Sequence, residues 1–180
     1  TGIGGNIQGN RSSFIDDIYV VGELSAIPPV ADFSADQTTV CEGATVNFTD
    51  LSTESPNSWS WTFNGGTPAT STAQNPSVAY NTAGTYEVSL SVTNSVGGDT
   101  ETKTGYITVN TNPTVSASNT GPYCETETIQ LGATGSGGDT WAWTGPDGFT
   151  STNEDPLIAA STTAMAGTYT VELENTTTGC

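Results

Sequence analysis

The chain of 180 residues is long enough for two small domains, and its 19 acidic residues are opposed only by Arg11 and Lys103, which gives a net charge of −17. The charge is spread along the chain as on a solvated surface, and because it repels phosphate groups, we expect no binding to nucleic acid. No apolar run reaches the ~20 residues that a membrane-spanning helix requires, so no membrane insertion is predicted.

The first 29 residues contain one predicted strand. Residues 1–12 are rich in glycine and polar side chains, whereas Ser13–Val21 (SFIDDIYVV) has the composition of a strand. The IDDIYV segment resembles the last strand of jelly-roll domains of the MAM or cleaved-adhesin kind, which implies that residues 1–25 are the end of an upstream β domain. Residues 26–29, with two prolines, form a predicted semi-rigid linker.

Three landmarks then recur at nearly one spacing and reveal an internal repeat. The cysteines and the tyrosines are 83 residues apart and the tryptophans 82: Cys41 and Cys124, Tyr86 and Tyr169, Trp59 and Trp141. Around each tyrosine the sequence alternates, as AGTYEVSLSV and AGTYTVEL, which predicts a strand with one buried face. A Gly-x-Tyr entry into a strand is what the tyrosine corner of an immunoglobulin-like sandwich requires.

Residues 30–110 form the first predicted sandwich. Its predicted strands are Ala31–Ala35, Thr45–Thr49, Trp59–Phe63, Ser77–Tyr80, Thr85–Thr93 and Thr100–Val109, with a hairpin turn at 94–99. The order ADFSA, VNFTDLST, WSWTF, NPSVAYNTAGTYEVSLSVTNSVGG and YITV resembles the PKD domain over its whole length, and this resemblance implies a small β-sandwich.

One segment departs from the pattern of that family. Where the family commonly has Trp-Asp-Phe-Gly-Asp-Gly, this chain has Trp-Thr-Phe-Asn-Gly-Gly at 61–66. Both acids are replaced, so a role of this loop in binding metal or fixing polar structure is not carried over. The segment resembles a Trp-x-Phe-x-Gly-Gly-Thr-Pro variant found in surface and secreted proteins of Bacteroidetes, which implies an extracellular location.

Residues 111–180 form the second predicted sandwich, with strands Thr114–Ala117, Thr128–Ala133, Thr140–Thr144 and Thr168–Glu174. The segments TGPDGFTSTNEDP and AGTYTVELENTTTGC resemble Ig-like repeats of adhesin-type proteins. Val171 stands where the second core cysteine of an antibody domain would be, so packing around a tryptophan must replace the inter-sheet disulfide. This sandwich is predicted to lack its last strand. The predicted fold class is all-β, with tandem immunoglobulin-like β-sandwiches.

Catalysis is not expected in these residues. The sequence has no histidine, which removes the usual general base and triad member. Cys41 has an acidic neighbour and no basic one, so nothing favours its thiolate. Two carboxylates could serve a glycosidase, but a sandwich of this size offers no deep cleft to hold a sugar between them. No catalytic residue and no cofactor are assigned.

Tryptophans and acidic turns are the candidate binding residues. One tryptophan of each Trp-x-Trp pair is expected to be buried, and because the same-face spacing would bury both, we expect a local bulge or one ring at the sheet margin. That second ring, taken as Trp59 or Trp141, either packs there or stacks on a sugar ring. Acidic residues in turns could bind Ca²⁺ through carboxylate oxygens, but no calcium-loop spacing is present and turn formation is favoured. These acidic residues are Asp99, Asp139, Asp147, Glu154 and Asp155.

The three cysteines lead to one predicted disulfide. Cys124 and Cys180 flank the second domain, and in the Ig-like repeats that it resembles, a cysteine opening strand B commonly occurs with a Gly-Cys after strand F. The resemblance therefore implies a Cys124–Cys180 disulfide, worth about 4 kcal/mol in the chain-entropy model. Gly97 holds the repeat position of Cys180 in the first domain, so Cys41 is predicted to be a buried free thiol.

These features predict a non-catalytic extracellular repeat module that serves as a spacer, stalk or presentation module of a large surface or secreted protein such as an adhesin. Its expected partners are other domains of the same protein, an extracellular glycan or another protein. The alternative is an accessory substrate- or glycan-binding module of a secreted peptidase or polysaccharide hydrolase.

A third alternative, self-association, starts from the unmatched ends. Ser13–Val21 is a strand without a domain, and the second sandwich has an open edge. We expect either that the chain is part of a longer one or that this strand completes the sandwich of a neighbouring copy. In the second case Phe14, Ile18 and Val20 would face the acceptor, and the copies would assemble into a filament.

Overall fold

The computed structural model describes residues 27–180, so the predicted strand Ser13–Val21 and its strand-donating role lie outside the described residues. The described part contains fifteen β-strands, two single 3-10 turns and no α-helix, which confirms the all-β prediction. The strands are β1 (Phe33–Ala35), β2 (Thr39–Cys41), β3 (Ala44–Asp50), β4 (Ser58–Phe63), β5 (Gly66–Thr67), β6 (Thr70–Ser71), β7 (Ser77–Tyr80), β8 (Gly84–Thr93), β9 (Gly98–Asn110), β10 (Thr114–Asn119), β11 (Ile129–Ser136), β12 (Thr140–Thr144), β13 (Thr150–Ser151), β14 (Leu157–Ile158) and β15 (Thr170–Glu174). Within residues 27–180, a helix with the length and apolar character of a membrane span is not found.

The first sandwich is built from β1 to β9. One sheet has the order β1-β3-β7-β5 and the other the order β2-β9-β8-β4-β6. The period-two alternation of the long strands turns one face of each sheet inward, and fourteen buried side chains fill the space between them. Trp61 is fully buried, with its ring centroid 5.2 Å from that of Phe33 and 5.7 Å from that of Phe48.

The second sandwich is built from β10 to β15 and has a much smaller core. Its sheets have the orders β10-β11-β14 and β13-β12-β15. The buried set consists of Ile129, Leu131, Ala133 and Trp143. Burial fades along β11, because beyond Ala133 the strand continues as Thr-Gly-Ser and offers no large apolar side chain to the core. In the part of the chain that the structure describes, β15 pairs on one side only, with β12.

The alternating pattern located the longer strands and missed the short ones. Ser77–Tyr80 and Thr140–Thr144 agree at both ends, and the other predicted strands end within three residues of the observed ones. The sequence prediction missed β2, β5, β6, β13 and β14, which are two or three residues long. A period of two cannot be recognised in so few residues, so these strands depend on pairing with their neighbours.

The predicted Cys124–Cys180 disulfide is wrong, and so is the prediction that Cys41 is free. Cys41 and Cys180 form the disulfide, with Cα atoms 5.7 Å apart, and Cys124 is an exposed free thiol. The reason is strand direction. β11 and β15 run the same way, so a residue before β11 and a residue after β15 lie at opposite ends of the sandwich. Eight residues of strand separate them by about 25 Å, whereas a disulfide needs Cα atoms within about 7 Å.

Candidate functional site

The two sandwiches meet at a three-residue linker, residues 111–113, which is held by Glu42. The backbone N–H of Asn112 donates to one carboxylate oxygen of Glu42 at 3.3 Å, and the side-chain amide of Asn112 donates to the Glu42 carbonyl oxygen at 3.0 Å. The other carboxylate oxygen accepts a hydrogen bond of 2.8 Å from the backbone N–H of Ala83. Glu42 therefore ties the linker to the corner that precedes β8.

Glu42 is placed at this end of the sandwich by the turn between β2 and β3. Gly43 has a φ of +88°, a backbone conformation that strains most side chains, and its N–H donates to the carbonyl oxygen of Tyr80 at 2.7 Å. Strand β2 pairs in parallel with the end of β9, where Cys41 lies opposite Asn110. Cys41 and Glu42 thus stand beside the point where the chain leaves the first sandwich.

Cys180 is brought to the same place by the turn that follows β15. The backbone N–H of Asn175 donates to the carbonyl oxygen of Cys180 at 2.9 Å, and its side-chain oxygen accepts from the N–H of Thr177 at 3.0 Å. The side-chain amide of Asn175 donates to the carbonyl oxygen of Gly137 at 2.7 Å, which ties the turn to the loop after β11. Asparagine favours such turns because its side chain replaces backbone partners.

Asp139 supports this turn from the neighbouring loop. Its carboxylate accepts hydrogen bonds from the backbone N–H of Thr176 at 3.0 Å and from the hydroxyl of Thr176 at 2.8 Å. These two bonds, the backbone one first, hold the pKa of Asp139 below its ordinary value. One of the acidic residues considered for Ca²⁺ therefore fixes the turn that carries Cys180.

The disulfide, the hydrogen bonds of Glu42 and the linker 111–113 together form what we call the junction clamp. Domains joined by a short linker with a modest interface ordinarily move relative to each other. Here the chain is tied by the linker and, beside it, by the bond from Cys41 to Cys180, since Cys41 pairs with Asn110 directly before the linker. A second attachment beside the linker restricts the hinge motion that the linker alone would allow, so the arrangement can limit changes in spacing and orientation.

The tryptophans divide into a buried and a marginal member in each sandwich, without a bulge. Trp61 and Trp143 are buried, and their indole N–H groups donate to the carbonyl oxygens of Ala73 at 2.9 Å and Glu154 at 3.2 Å. Their neighbours, Trp59 and Trp141, are partly buried and pack against the edges of the two cores. Sugar stacking by these marginal rings stays a prediction.

Trp59 has a polar partner. Its indole N–H donates to the Asp50 carboxylate at 2.7 Å. Burial raises the pKa of Asp50, but hydrogen bonds from Ser52, Gln74 and Trp59 outweigh this effect and hold the pKa below its ordinary value. The contact orients the ring along the sheet margin.

The other acidic turn residues also serve local structure. Asp99 accepts a hydrogen bond from the N–H of Ala31 at 2.8 Å, and Asp155 accepts one from the N–H of Ala133 at 3.1 Å. Asp147 lies in the 3-10 turn at 146–148. Among residues 27–180, no three side chains of the kinds that bind metals are grouped together. These contacts favour the interpretation that the acids form turns.

Both tyrosine corners predicted from the sequence are present. The hydroxyl of Tyr86 donates to the carbonyl oxygen of Thr82 at 2.8 Å, and that of Tyr169 donates to the carbonyl oxygen of Met165 at 2.9 Å. Each bond reaches four residues back along the chain, so the two sandwiches use the same corner.

Tyr80, near the junction, has a different environment. Its ring is stacked on that of Tyr86 with 5.5 Å between centroids, and its buried hydroxyl has no hydrogen-bond partner among the described residues. Burial, followed by the nearby Tyr86 hydroxyl, raises the pKa of Tyr80 to about 12.

Comparisons with known proteins identify the first sandwich. A model of the PKD domain family matches residues 26–109. The PKD1 domain of the metalloprotease PrtV from Vibrio cholerae is 35% identical, with 47% of this chain and 99% of that domain covered and a TM-score of 0.38. The amphioxus IgVJ-C2 molecule is 17% identical, with 77% of this chain and 93% of that chain covered and a TM-score of 0.31. Three domains of the bacteriophage RB49 outer capsid protein Hoc are 16% identical, with 79% of this chain and 53% of that chain covered and a TM-score of 0.34. No curated protein matches the chain.

Proposed function

The chain belongs to the PKD domain family through residues 26–109, and from this premise we propose that it is a non-catalytic extracellular module that holds two β-sandwiches at a fixed spacing and orientation. Such a module acts as a spacer or stalk, or presents other parts of a large surface or secreted protein. The absence of histidine from the sequence and the use of the acidic turn residues in local structure support a mechanical role over a chemical one.

The junction clamp is the observation that carries this proposal. A spacer transmits position only if its joints resist bending, and a free three-residue linker between two small domains does not. The disulfide between Cys41 and Cys180 and the bonds from Asn112 to Glu42 attach the second sandwich at two points. A disulfide also requires an oxidising compartment, which supports an extracellular location.

The proposal is tested by the tumbling of the two sandwiches in solution. Nitrogen-15 relaxation of the full chain should give one rotational correlation time for both sandwiches. In a variant with Cys41→Ser and Cys180→Ser, the two sandwiches should tumble with different and shorter times. Cys124→Ser is the matched control, because it removes a thiol and leaves the clamp. Independent tumbling in the unaltered chain would show that the module is not rigid.

The alternative function is an accessory binding module of a secreted hydrolase. The partly exposed rings of Trp59 and Trp141 at the sheet margins are the features that favour it, because aromatic faces stack on sugar rings. A glycan array probed with the chain should then give a signal that Trp59→Ala or Trp141→Ala removes, with circular dichroism verifying that each variant is folded. An array without signal would leave the mechanical role.

Self-assembly through donation of Ser13–Val21 is the third candidate. The edge of β15 that has no hydrogen-bonded partner strand among residues 27–180 is the acceptor that this mechanism would use. Deletion of residues 1–21 should abolish polymers that the full chain forms with increasing concentration. If both chains sediment as monomers at every concentration, strand donation does not occur.

A further inference from the structure

The turn that carries half of the junction clamp is repeated in the second sandwich. Cys41-Glu42-Gly43 recurs 83 residues later as Cys124-Glu125-Thr126. The third residue has a positive φ in both copies, +88° and +72°. Its N–H donates to a carbonyl oxygen at the end of the neighbouring segment in both, Tyr80 at 2.7 Å and Ser161 at 2.8 Å.

The strand that follows each turn confirms that the two positions are structurally equivalent. Five and seven residues after the cysteine stand buried core side chains, Val46 and Phe48 in the first sandwich and Ile129 and Leu131 in the second. The two cysteines therefore occupy the same place in the fold. They differ in what they contact.

Cys124 lies at the end of the second sandwich that points away from the first. Thr114, where the chain enters this sandwich, pairs with Ser136 at the end of β11, and Cys124 precedes the other end of β11. In the first sandwich the same turn faces the next domain. Cys124 and Glu125 thus occupy the surface where a following domain would sit, which we call the distal end.

The distal end carries the two groups of a clamp, and neither is engaged. Cys124 is an exposed free thiol, whereas Cys41 is bonded. Glu42 accepts hydrogen bonds from Ala83 and Asn112, but no hydrogen bond reaches the Glu125 carboxylate from the described part of the chain. Both residues line a cavity of about 340 Å³, whose wall is otherwise mixed, with apolar side chains such as Ile129 and Met165 and polar ones such as Ser161.

We infer that the distal end is a docking surface for a further β-sandwich that carries an unpaired cysteine after its counterpart of β15, and that Cys124 forms a disulfide with that cysteine. This inference rests on the proposed function and names the kind of domain that the proposed module would bind. The evidence for this partner is Cys41, which holds the same place in the first sandwich and is bonded to a cysteine of the sandwich that follows. A second copy of this chain is not this partner, because its cysteine at that position, Cys180, is already bonded to its own Cys41.

The bond forms by thiol–disulfide exchange with a small-molecule or enzyme disulfide as the oxidant. The two thiols lose two protons and two electrons as the S–S bond forms, and the oxidant disulfide is reduced to two thiols. The Glu125 carboxylate then accepts a backbone N–H of the new linker, as Glu42 accepts that of Asn112. The junction clamp is thereby repeated along an array of sandwiches.

The repeat spacing allows a direct test in a longer chain. Because Cys180 and Gly97 are 83 residues apart, as are Cys124 and Cys41, a second copy of residues 98–180 can be appended directly after Cys180 with every landmark in register. After folding in a glutathione redox buffer, non-reducing peptide mapping should find Cys41 bonded to Cys180, and Cys124 bonded to the appended copy of Cys180. The control carries serine in place of that appended cysteine, and its Cys124 should be fully alkylated.

Two results separate this inference from the proposed function. If the appended sandwich is folded by near-ultraviolet circular dichroism and Cys124 is still fully alkylated, the docking inference is overturned, while an intact Cys41–Cys180 bond leaves the rigid module standing. If the appended copy does not fold, mapping of the protein from its natural source, alkylated before extraction, decides. Cys124 bonded to a Gly-Cys after an F strand supports the inference, and Cys124 found as a thiol or capped by a small thiol overturns it.

Discussion

The two sandwiches share their landmarks and differ in how much they bury. The first encloses fourteen buried side chains including Trp61, and the second encloses four including Trp143. Each buried large apolar side chain contributes about 1.5–3 kcal/mol, so the first core can support a domain by itself. The second core is small for its length, and a domain of about 70 residues is marginal even with a good core.

The difference indicates what the junction clamp does for stability. A second sandwich that unfolds while the first stays folded must remain closed into a loop by the bond to Cys41. That restriction lowers the entropy of the unfolded second sandwich and thereby favours its folded state. We infer that the first sandwich is stable by itself, whereas the second depends on its attachment to the first.

The largest expected effect comes from truncating the central tryptophans. Trp61→Ala should lower the free energy of unfolding of the first sandwich by about 5 kcal/mol, because the ring is fully buried among aromatic side chains. Trp143→Ala should cost about 3 kcal/mol and affect the second sandwich alone. Denaturant unfolding followed by amide signals from each sandwich separates the two effects. Unfolding of the first sandwich in Trp143→Ala would mean that the first sandwich depends on the second, contrary to this account.

Removal of the disulfide should act on one sandwich only. Cys41→Ser together with Cys180→Ser should lower the free energy of unfolding of the second sandwich by about 4 kcal/mol, because the unfolded segment is no longer held in a loop. Amide hydrogen exchange should show faster opening in β11 and β12 and little change in β3 and β8. Equal changes in both sandwiches would contradict the asymmetry.

A smaller effect should distinguish the two repeated glutamates. Glu42→Ala leaves the N–H groups of Ala83 and Asn112 without their acceptor and should cost about 1 kcal/mol. Glu125→Ala is the matched control at the same repeat position and should change stability by less than about 0.5 kcal/mol. Thermal unfolding of the two variants under one buffer measures both values. Similar losses would mean that Glu125 is engaged in the isolated chain.

The last effect, similar in size to that of Glu42→Ala, concerns the buried Tyr80 hydroxyl and alkaline pH. Its pKa is raised to about 12 in the folded state, so the folded chain keeps this proton when the unfolded chain loses it above pH 10. The contribution of this hydroxyl to the free energy of unfolding is fully present below pH 10. Relative to Tyr80→Phe, which has no such proton, the stability should fall by about 1 kcal/mol between pH 10 and 11. Urea unfolding of both proteins at pH 9 and 11 gives the difference. Identical losses would exclude this role of Tyr80.

The sequence predicted the features that depend on local periodicity. Alternation around Tyr86 and Tyr169 predicted β8 and β15, and the Gly-x-Tyr entry predicted the two tyrosine corners. Each of these features depends only on one strand and the few residues before it. The burial of one tryptophan in each Trp-x-Trp pair also followed from the sandwich architecture. Two-residue strands such as β5 and β13 carry no period and could not be predicted this way.

The junction clamp was missed because it depends on the ends of strands rather than on their faces. The resemblance to Ig-like repeats implied that Cys124 and Cys180 are bonded, but β11 and β15 run in the same direction, so the start of β11 and the end of β15 are far apart. Strand direction, counted along the chain, is the signal that could have placed Cys180 near Cys41. The role of Glu42 could not be predicted, since it depends on the path of a linker between two folded units.

The attachment of the second sandwich to the first is tested by mapping the disulfide of the chain itself. The protein is alkylated without reduction, digested and analysed by mass spectrometry. A peptide that contains Cys41 should be found bonded to the peptide that contains Cys180, and Cys124 should carry the alkyl label. A bond between Cys124 and Cys180, with the label on Cys41, would contradict the clamp and leave the two sandwiches joined by the linker alone.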